Sequence, residues 1–141
     1  MTAIEGKLNL LVAELDLLEA QRPQSFEELT EHPIILRGLI KALENAIEYC
    51  LDAGRMLIRA RSWESPERYR DIITTLTLHG VLPKEKQETF YSIIGFRNIA
   101  VHNYEKMDPE VVYGVLTRHT EDLRLFGRSI ASAIGGAQDL L

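Results

Sequence analysis

The sequence predicts an all-α protein that folds as an up-and-down bundle of about five helices. Apolar residues recur at helical spacing over long segments, and the links between these segments are short. No segment shows sustained alternation of apolar and polar residues with β-branched enrichment, so we expect no sheet. The chain has 141 residues, of which 45% are hydrophobic. That is enough for one ordinary core, and we expect a single helical domain over residues 1–141.

The first two helices are predicted from their apolar stripes. The first is expected over about residues 2–21, where apolar side chains follow one another at spacings of four, three, four and three: Ile4, Leu8, Leu11, Leu15 and Leu18. A polar link, RPQSFEELTEHP, follows and has room for a short turn. The second helix is expected from Pro33 to about Arg61, and its wide apolar sector indicates the central helix of the bundle.

A cap signal predicts where the third helix begins. Ser65 with Pro66 behind it is typical of an N-cap followed by a proline in the first helical position. The helix is expected over about residues 67–79. Gly80 suits the left-handed conformation that often ends a helix.

The last two helices are predicted in the same way. The fourth is expected from about Lys84 to Val101, and Asp108 with Pro109 repeats the cap-and-proline signal. The fifth is expected to extend from that cap to about Ile134. The closing GGAQDLL is expected to fray.

Charge argues against broad, non-specific binding to nucleic acid, because the formal net charge is -5. The charge is uneven, however. Residues 1–36 carry two basic and seven acidic side chains, whereas residues 37–70 carry seven basic and five acidic ones. A small basic site therefore remains compatible with the composition.

The sequence favours a cytoplasmic protein. No window approaches the ~18 uninterrupted apolar residues that a membrane span needs, and the N-terminal segment lacks the basic region of a signal peptide. The single cysteine, Cys50, has no internal disulfide partner, which suits a reducing cytosol. It lies in an apolar run, where a buried structural thiol is more common than a nucleophile.

Arg97 interrupts the apolar face of the predicted fourth helix. It lies three residues after Ile94 and four before Val101, within a stripe that also holds Phe90, Ile93, Phe96 and Ala100. A buried charge without a partner is costly, so this arginine must snorkel, form an ion pair or face a polar cavity. A snorkelling or salt-bridged arginine is the ordinary explanation.

His102 and Tyr104 follow Arg97 near the end of this helix. A continuous helix would place His102 about 140° around from Arg97. The two converge only if the helix ends or distorts near residue 101, and Asn103, which tolerates left-handed geometry, supports such an end. We therefore expect His102 at the helix C-terminus and Tyr104 in the following loop. Taken alone, a histidine there is more often solvated or a cap than a catalyst.

The spacing Arg-x4-His-x-Tyr in a small all-helical chain resembles the HEPN superfamily of helical ribonuclease and nucleotide-binding domains. The longer string GFRNIAVHNYEKMDPEVVY resembles its HepT branch, the toxin half of toxin–antitoxin pairs whose antitoxin is the minimal nucleotidyltransferase MntA. The resemblance implies a type VII-like toxin that cleaves RNA, such as tRNA or mRNA, with no metal and no cofactor.

The implied chemistry matches the residue types. Attack by the ribose 2′-OH needs a base and an acid, and an imidazole such as that of His102 titrates near neutral pH. Arg97 cannot act as a base, but its planar fork suits two phosphate oxygens. Asn98 could bind phosphate or orient a partner. A single histidine in the motif suggests a homodimer that brings two copies of the Arg97–His102 pair into one cleft, as the resemblance also implies.

A phenol is a poor acid or base at neutral pH, so packing with a hydrogen-bonded hydroxyl is the ordinary role for Tyr104. The resemblance implies a different role, in which the antitoxin transfers AMP to Tyr104. Two alternatives stay open. One is a non-catalytic HEPN module that binds a nucleotide or substrate beside a nucleotidyltransferase. The other is a helical scaffold in which Arg97 forms a structural ion pair and His102 caps a helix.

No paired metal-ligand spacing is evident among the histidines or around Cys50. His119 lies inside the apolar stripe of the fifth helix, beside Leu116 and Leu123, where a satisfied core or interface histidine is favoured over a role near the cleft. Three arginines on the same helix could supply an RNA-facing edge, although such residues are usually only solvated: Arg118, Arg124 and Arg128.

Overall fold

Helices make up most of residues 2–135, which are the residues that the structure, a computed structural model, describes. Their bounds are α1 Ala3–Gln21, α2 Phe26–Glu31, α3 Pro33–Ala60, α4 Tyr69–Leu78, α5 Gln87–His102, α6 Pro109–Arg118 and α7 Thr120–Ile134. No strand occurs within this range, so the all-α prediction is confirmed. The segment predicted to fray lies outside the described residues, apart from Gly135, which ends α7 in a left-handed conformation.

The two long helices follow the sequence prediction closely. The five apolar residues predicted for α1 are its five buried residues, and they pack against α3. α3 is the central helix, because it also packs against α4, α5 and α7. The polar link between α1 and α3 holds the short helix α2, for which Ser25 is the N-cap and accepts a hydrogen bond from the Glu28 N–H at 3.1 Å.

The predicted start of α4 is wrong. Ser65 and Pro66 lie in an irregular segment, and the helix begins four residues after Ser65, with Arg68 at the N-cap. The Asp71 carboxylate accepts a hydrogen bond from the Arg68 N–H at 3.0 Å, which satisfies one of the unpaired donors at this end. The other end agrees with the prediction, since Gly80 has a φ of 76°.

Gly54 lets α4 approach α3 closely. A Cβ atom at this position would lie 2.9 Å from the Ile72 Cγ2 and 2.9 Å from the Leu76 Cδ1. Both of those side chains are buried, so a larger residue would push the two helices apart. The close contact holds the first residue of α4, Tyr69, over the middle of α3, where it contributes to the site described below.

The predicted fifth helix is two helices, α6 and α7, that meet at His119. Near this bend the Thr120 hydroxyl donates a hydrogen bond to the Leu116 carbonyl at 3.4 Å, a contact that often bends helices. The apolar members of the predicted stripe are buried, but the His119 side chain is 33% exposed. His119 is therefore a half-exposed residue where α6 meets α7, so it does not lie in the core, and the alternative of an interface histidine stays a prediction.

His119 is nevertheless satisfied, because its Nδ1 lies 2.8 Å from the Asp122 Oδ2. Lys86, immediately before α5, contacts the other oxygen of the same carboxylate at 2.9 Å. Burial alone would raise the pKa of Asp122, but hydrogen bonds from His119 and Lys86 outweigh burial and hold the pKa of this carboxyl below its usual range. This cluster attaches the start of α5 to α7.

Cys50 is buried in α3, as predicted, and its thiol lies 3.8 Å from the Leu123 carbonyl oxygen. Burial raises the pKa of the Cys50 thiol, which keeps it protonated and inert. No described helix combines the length and apolar character that crossing a bilayer would demand.

We expect Asp122→Asn to lower the free energy of unfolding by about 1–3 kcal/mol at pH 7, since it removes a charge from two hydrogen bonds. The wild-type carboxylate has a lowered pKa in the folded state, so its contribution is complete above the unfolded-state value of about 4 and is lost as pH falls through the folded value. Urea unfolding between pH 3 and pH 7 should show the two proteins converging at the acidic end. Glu64→Gln, in an exposed loop, is the control. A constant difference between wild type and Asp122→Asn at every pH would contradict this account.

Candidate active site at the end of α5

Arg97 is tied to three helices through its guanidinium group. Its side chain is 11% exposed, and its Nε donates a hydrogen bond to the Glu48 carboxylate on α3. One terminal nitrogen, Nη2, lies 3.3 Å from the Tyr69 hydroxyl at the start of α4, and the guanidinium carbon lies 4.4 Å from the centre of the Tyr69 ring. The other, Nη1, donates to the Asn98 Oδ1 at 3.1 Å. The ordinary explanation, a salt-bridged arginine, is therefore part of the observed geometry.

The three hydrogen bonds do not use all the donors of Arg97. A guanidinium has five N–H donors. Glu48 takes the Nε–H, while Tyr69 and Asn98 each take one N–H from a terminal nitrogen. Within residues 2–135, one N–H on each terminal nitrogen remains uncommitted. Two such donors on neighbouring nitrogens suit a phosphate or carboxylate group.

His102 is the last residue of α5, and its side chain is exposed. The Asn103 N–H donates to the Ile99 carbonyl at 2.8 Å and completes the final turn. Asn103 is the C-cap residue, so the expected helix end is confirmed, although its φ of -142° shows that the end does not use left-handed geometry. Among the described residues the His102 imidazole has no hydrogen-bonding partner, which leaves both ring nitrogens accessible to a ligand.

Tyr104 begins a single 3₁₀ turn, Tyr104–Lys106, between α5 and α6. The side chain is 38% exposed, as expected for a loop residue. The next helix starts as the sequence predicted, because the Asp108 carboxylate accepts a hydrogen bond from the Glu110 N–H at 2.9 Å and Pro109 occupies the first turn. Tyr104 is thus held in a short segment with a defined helix on either side.

The helix end does not by itself bring Arg97 and His102 together. α5 remains helical as far as His102, so ideal geometry separates the two positions by about 140° around the axis and about 7.5 Å along it. The predicted stripe is also incomplete, because Val101 is exposed rather than buried. Ile99 is exposed on the same segment, which gives the end of α5 an apolar surface.

Sequence reasoning identified the motif but missed the partners of Arg97. Glu48 lies 49 residues away and Tyr69 lies 28 residues away, so no local spacing links them to the motif. No signal in the sequence separates Glu48 from the other acidic residues of the central helix, such as Glu44 and Asp52. The structure also removes Arg124 from the candidate RNA-facing edge, since it is paired with Asp16 at 2.8 Å and Glu19 at 2.9 Å on α1.

The described residues hold no group of three or more histidine, cysteine or acidic side chains placed to bind a metal ion. The motif brings three reactive groups to this end of the molecule: the guanidinium of Arg97, the imidazole of His102 and the phenol of Tyr104. Together they can hold an anion, transfer a proton and accept a modifying group.

Comparison with known proteins defines the class. The family model described as Ribonuclease HepT-like matches residues 11–130, which include α3 to α6 and the whole motif. The chain belongs to this HepT-like family. The mRNA nuclease HepT of Shewanella oneidensis is 28% identical over 89 residues, covering 63% of this chain and 67% of that protein.

Solved structures share the fold. The tri-AMPylated Shewanella oneidensis HEPN toxin, solved in complex with its MNT antitoxin, matches 94% of this chain and 99% of its own with a TM-score of 0.85 and 22% identity. A toxin–antitoxin structure with AMP-PNP gives a TM-score of 0.83, at 21% identity, covering 92% of this chain and 99% of that one. YutE of Bacillus subtilis, a cytosolic protein of unknown function, matches with a TM-score of 0.81 and 23% identity. The match covers 93% of this chain and 87% of YutE.

We expect Glu48→Ala to lower the free energy of unfolding by about 1–2 kcal/mol, because it leaves the largely buried Arg97 without its carboxylate. Partial exposure of Glu48 keeps the cost below that of a fully buried pair. Urea unfolding measures the change, and a double-mutant cycle with Arg97→Ala isolates the pair. Glu44→Ala is the matched control on the same helix, since Glu44 pairs only with the exposed Lys41. Equal losses in the two variants, or a coupling energy near zero, would refute the structural importance of the pair.

Proposed function

We propose that this chain is a cytoplasmic endoribonuclease toxin of a toxin–antitoxin pair, with Arg97 and His102 as its catalytic residues and Asn98 in support. The observation that carries the proposal is the state of Arg97. It is fixed by Glu48, Tyr69 and Asn98 and, among the described residues, still has two uncommitted N–H donors, five positions before an exposed histidine on the same helix. A family whose characterised relative is named an mRNA nuclease supports the same reaction.

The reaction needs no metal for its proton transfers. A His102 imidazole takes the proton of a ribose 2′-OH, and the 2′-oxygen attacks the adjacent phosphorus. Arg97 donates to the phosphorane oxygens as negative charge builds up on them. The bond from phosphorus to the 5′-oxygen then breaks, and a protonated His102 returns a proton to that oxygen. The products are a 2′,3′-cyclic phosphate and a 5′-hydroxyl.

A homodimer supplies a second His102. It can also bring an arginine and a histidine of the motif together, which one chain alone does not. Within one helix Arg97 and His102 point about 140° apart, whereas a two-fold interface can face Arg97 of one protomer toward His102 of the other. Exposed apolar side chains near the motif favour an interface at this end of the molecule: Ile99, Val101 and Val111. A shared cleft would hold two imidazoles, one as base and one as acid.

A non-catalytic HEPN module is the second candidate. One observation favours it, namely the ion pair that already occupies the Nε of Arg97. In that function the guanidinium would organise the α3–α4–α5 junction, and the uncommitted donors would bind a nucleotide phosphate without cleaving it. An RNA cleavage assay separates the two candidates.

The first test incubates the purified, unmodified dimer with total tRNA and with mRNA in excess EDTA. We expect cleavage with cyclic phosphate ends, and we expect His102→Ala to slow it by about 10²-fold or more. Arg97→Ala should slow it by a comparable factor, since it removes charge stabilisation from the phosphorane. His32→Ala and Arg37→Ala, which alter exposed residues elsewhere, are the matched controls. No cleavage by the wild type, or full activity in His102→Ala, would favour the non-catalytic module.

In this proposal, Tyr104 is the residue through which the nuclease activity is regulated. A MntA-like nucleotidyltransferase directs the Tyr104 hydroxyl to the α-phosphorus of ATP, forming a phosphodiester and releasing pyrophosphate. The exposure of the side chain supports access by another enzyme. The added AMP carries negative charge close to His102, so it competes with RNA for the same cationic site.

Co-expression with such a nucleotidyltransferase should increase the intact mass of the wild type by one or more AMP units and abolish its cleavage of RNA. Tyr104→Phe should stay unmodified and active, because the reaction does not use the phenol. Tyr113→Phe, a half-buried tyrosine on α6, is the control and should be modified like the wild type. If the Tyr104→Phe variant were modified to the same extent as the wild type, the acceptor would be a residue other than Tyr104.

A further inference from the structure

A groove with a cavity volume of about 510 Å³ lies away from the motif, between the C-terminal ends of α3 and α7 and the turn after α4. Its volume falls within the range of small-ligand sites, roughly 300–1,000 Å³. Its lining combines cationic, hydroxyl and aromatic groups: Arg61, Trp63, His79, Arg128, Ser129 and Ser132. Neither the fold nor the proposed catalysis uses this combination.

Two stacked rings form one wall of the groove. The centre of the Trp63 indole lies 3.9 Å from that of the His79 imidazole, and the ring planes differ by 4°. Trp63 is half-buried against the core, whereas His79 is exposed. A flat ring on a fixed indole is the kind of surface on which a nucleic-acid base stacks.

The cap at the end of α3 positions this stack. Ser62 has a φ of 57°, a left-handed conformation that non-glycine residues rarely adopt. This residue turns the chain at the end of α3, and the next N–H, that of Trp63, donates to the Ile58 carbonyl at 3.0 Å. The Ser62 N–H also donates to the Arg59 carbonyl at 3.1 Å, so the helix ends in a common C-cap that fixes the position from which the indole reaches His79.

A second depression of about 280 Å³ continues from the groove toward the motif, and Trp63 lines both. Arg55 and Arg59 lie in this second depression. The Arg55 guanidinium lies 5.4 Å from the centre of the Tyr69 ring, which is the ring that also contacts Arg97. Cationic and aromatic side chains therefore alternate from the motif to the groove.

The arginines along this path have few acidic partners. Arg59 is exposed and has no side-chain partner among residues 2–135, and Arg61 bonds to the Ala133 carbonyl rather than to a carboxylate. The carboxylate paired with Arg55, that of Asp52, is 3.9 Å away. Acidic side chains line a separate depression beside Ser65 and Pro66, which bounds the path on that side: Glu64, Glu67 and Asp71. This local positive charge is unexpected in a chain with a net charge of -5.

We propose that this surface, from Arg55 and Arg59 to the Trp63–His79 stack and Arg61, binds single-stranded RNA beside the scissile phosphate. Bases stack on the exposed imidazole, and the arginines contact successive phosphates. The inference rests on the proposed ribonuclease function and extends it: Arg97 handles the phosphate that reacts, while this surface supplies affinity for the flanking nucleotides.

The structure offers a direct readout, since Trp63 is the only tryptophan in the chain. The probe is a labelled single-stranded decanucleotide with 2′-O-methyl riboses, which cannot undergo 2′-OH attack. Binding to the wild-type dimer should quench tryptophan fluorescence and raise the anisotropy of the label. Because cleavage is excluded, a failure of the proposed nuclease activity would leave this measurement interpretable.

Anisotropy titrations then compare variants over a range of salt concentrations. We expect His79→Ala to weaken binding at least about fivefold through lost stacking. We expect Arg59→Ala to reduce the slope of log K against log salt by about 0.7, the value for one phosphate contact on a single strand. Arg37→Ala is the matched control, at the other end of α3 and about 33 Å from Arg59 along the helix. It should bind like the wild type.

Three results would overturn the proposal. The first is oligonucleotide binding without a change in Trp63 fluorescence and with equal affinity in all variants. The second is cleavage of RNA by His79→Ala and Arg59→Ala with wild-type KM, which would leave the nuclease intact but remove this surface from it. The third is loss of the complex with a nucleotidyltransferase in those variants while RNA binding is unchanged, which would assign the surface to a protein partner.

Discussion

The ion pair between Arg97 and Glu48 is the contact on which the candidate site depends. A guanidinium with little exposure requires a carboxylate close by, and α3 supplies one at the point where α5 crosses it. Tyr69 adds a hydrogen bond and a ring face from α4, so three helices meet at one side chain. The cation is thereby fixed before any anion arrives. Such preorganisation is what electrostatic stabilisation of a transition state requires, because a fixed dipole or charge needs no rearrangement during the reaction.

The sequence predicted most of the helical framework because apolar periodicity is a local property. The stripe of α1 and the limits of α3 match the structure, since each residue there is buried by its own position on a long helix. Errors arose where a single side chain decided the boundary. The carboxylate of Asp71 moved the start of α4 away from the Ser65–Pro66 signal, and the bend at His119 divided a stripe that reads as continuous. Periodicity cannot detect either effect, because both depend on one hydrogen bond.

The site was predictable only as a motif. Arg97, His102 and Tyr104 lie within eight residues, so their spacing is visible in the chain, and the family match includes all three. The long-range partners of Arg97 come from α3 and α4 and become visible only when the helices pack. The geometry of α5 then supplies an argument for two protomers that spacing could not. A helix that continues to His102 separates arginine and histidine on its surface, and a two-fold axis is the simplest operation that can bring unlike faces of one helix together.

Two sets of arginines in the chain differ in how their charges are held. Arg97 and Arg124 are largely buried and are tied to carboxylates, and hydrogen bonds to Glu19 and Asp16 raise the pKa of Arg124. The arginines near Trp63 are exposed, so their side chains can adjust to the irregular backbone of a single RNA strand. A fixed cation suits a single phosphorus atom at a defined position, whereas exposed cations suit the sequence-independent, salt-sensitive contacts of flanking phosphates. In the proposed function, this difference separates catalysis from affinity. A modification at Tyr104 then adds its charge beside the motif, because Tyr104 lies two residues after His102, while the groove is built from the C-terminal ends of α3 and α7 and the turn after α4.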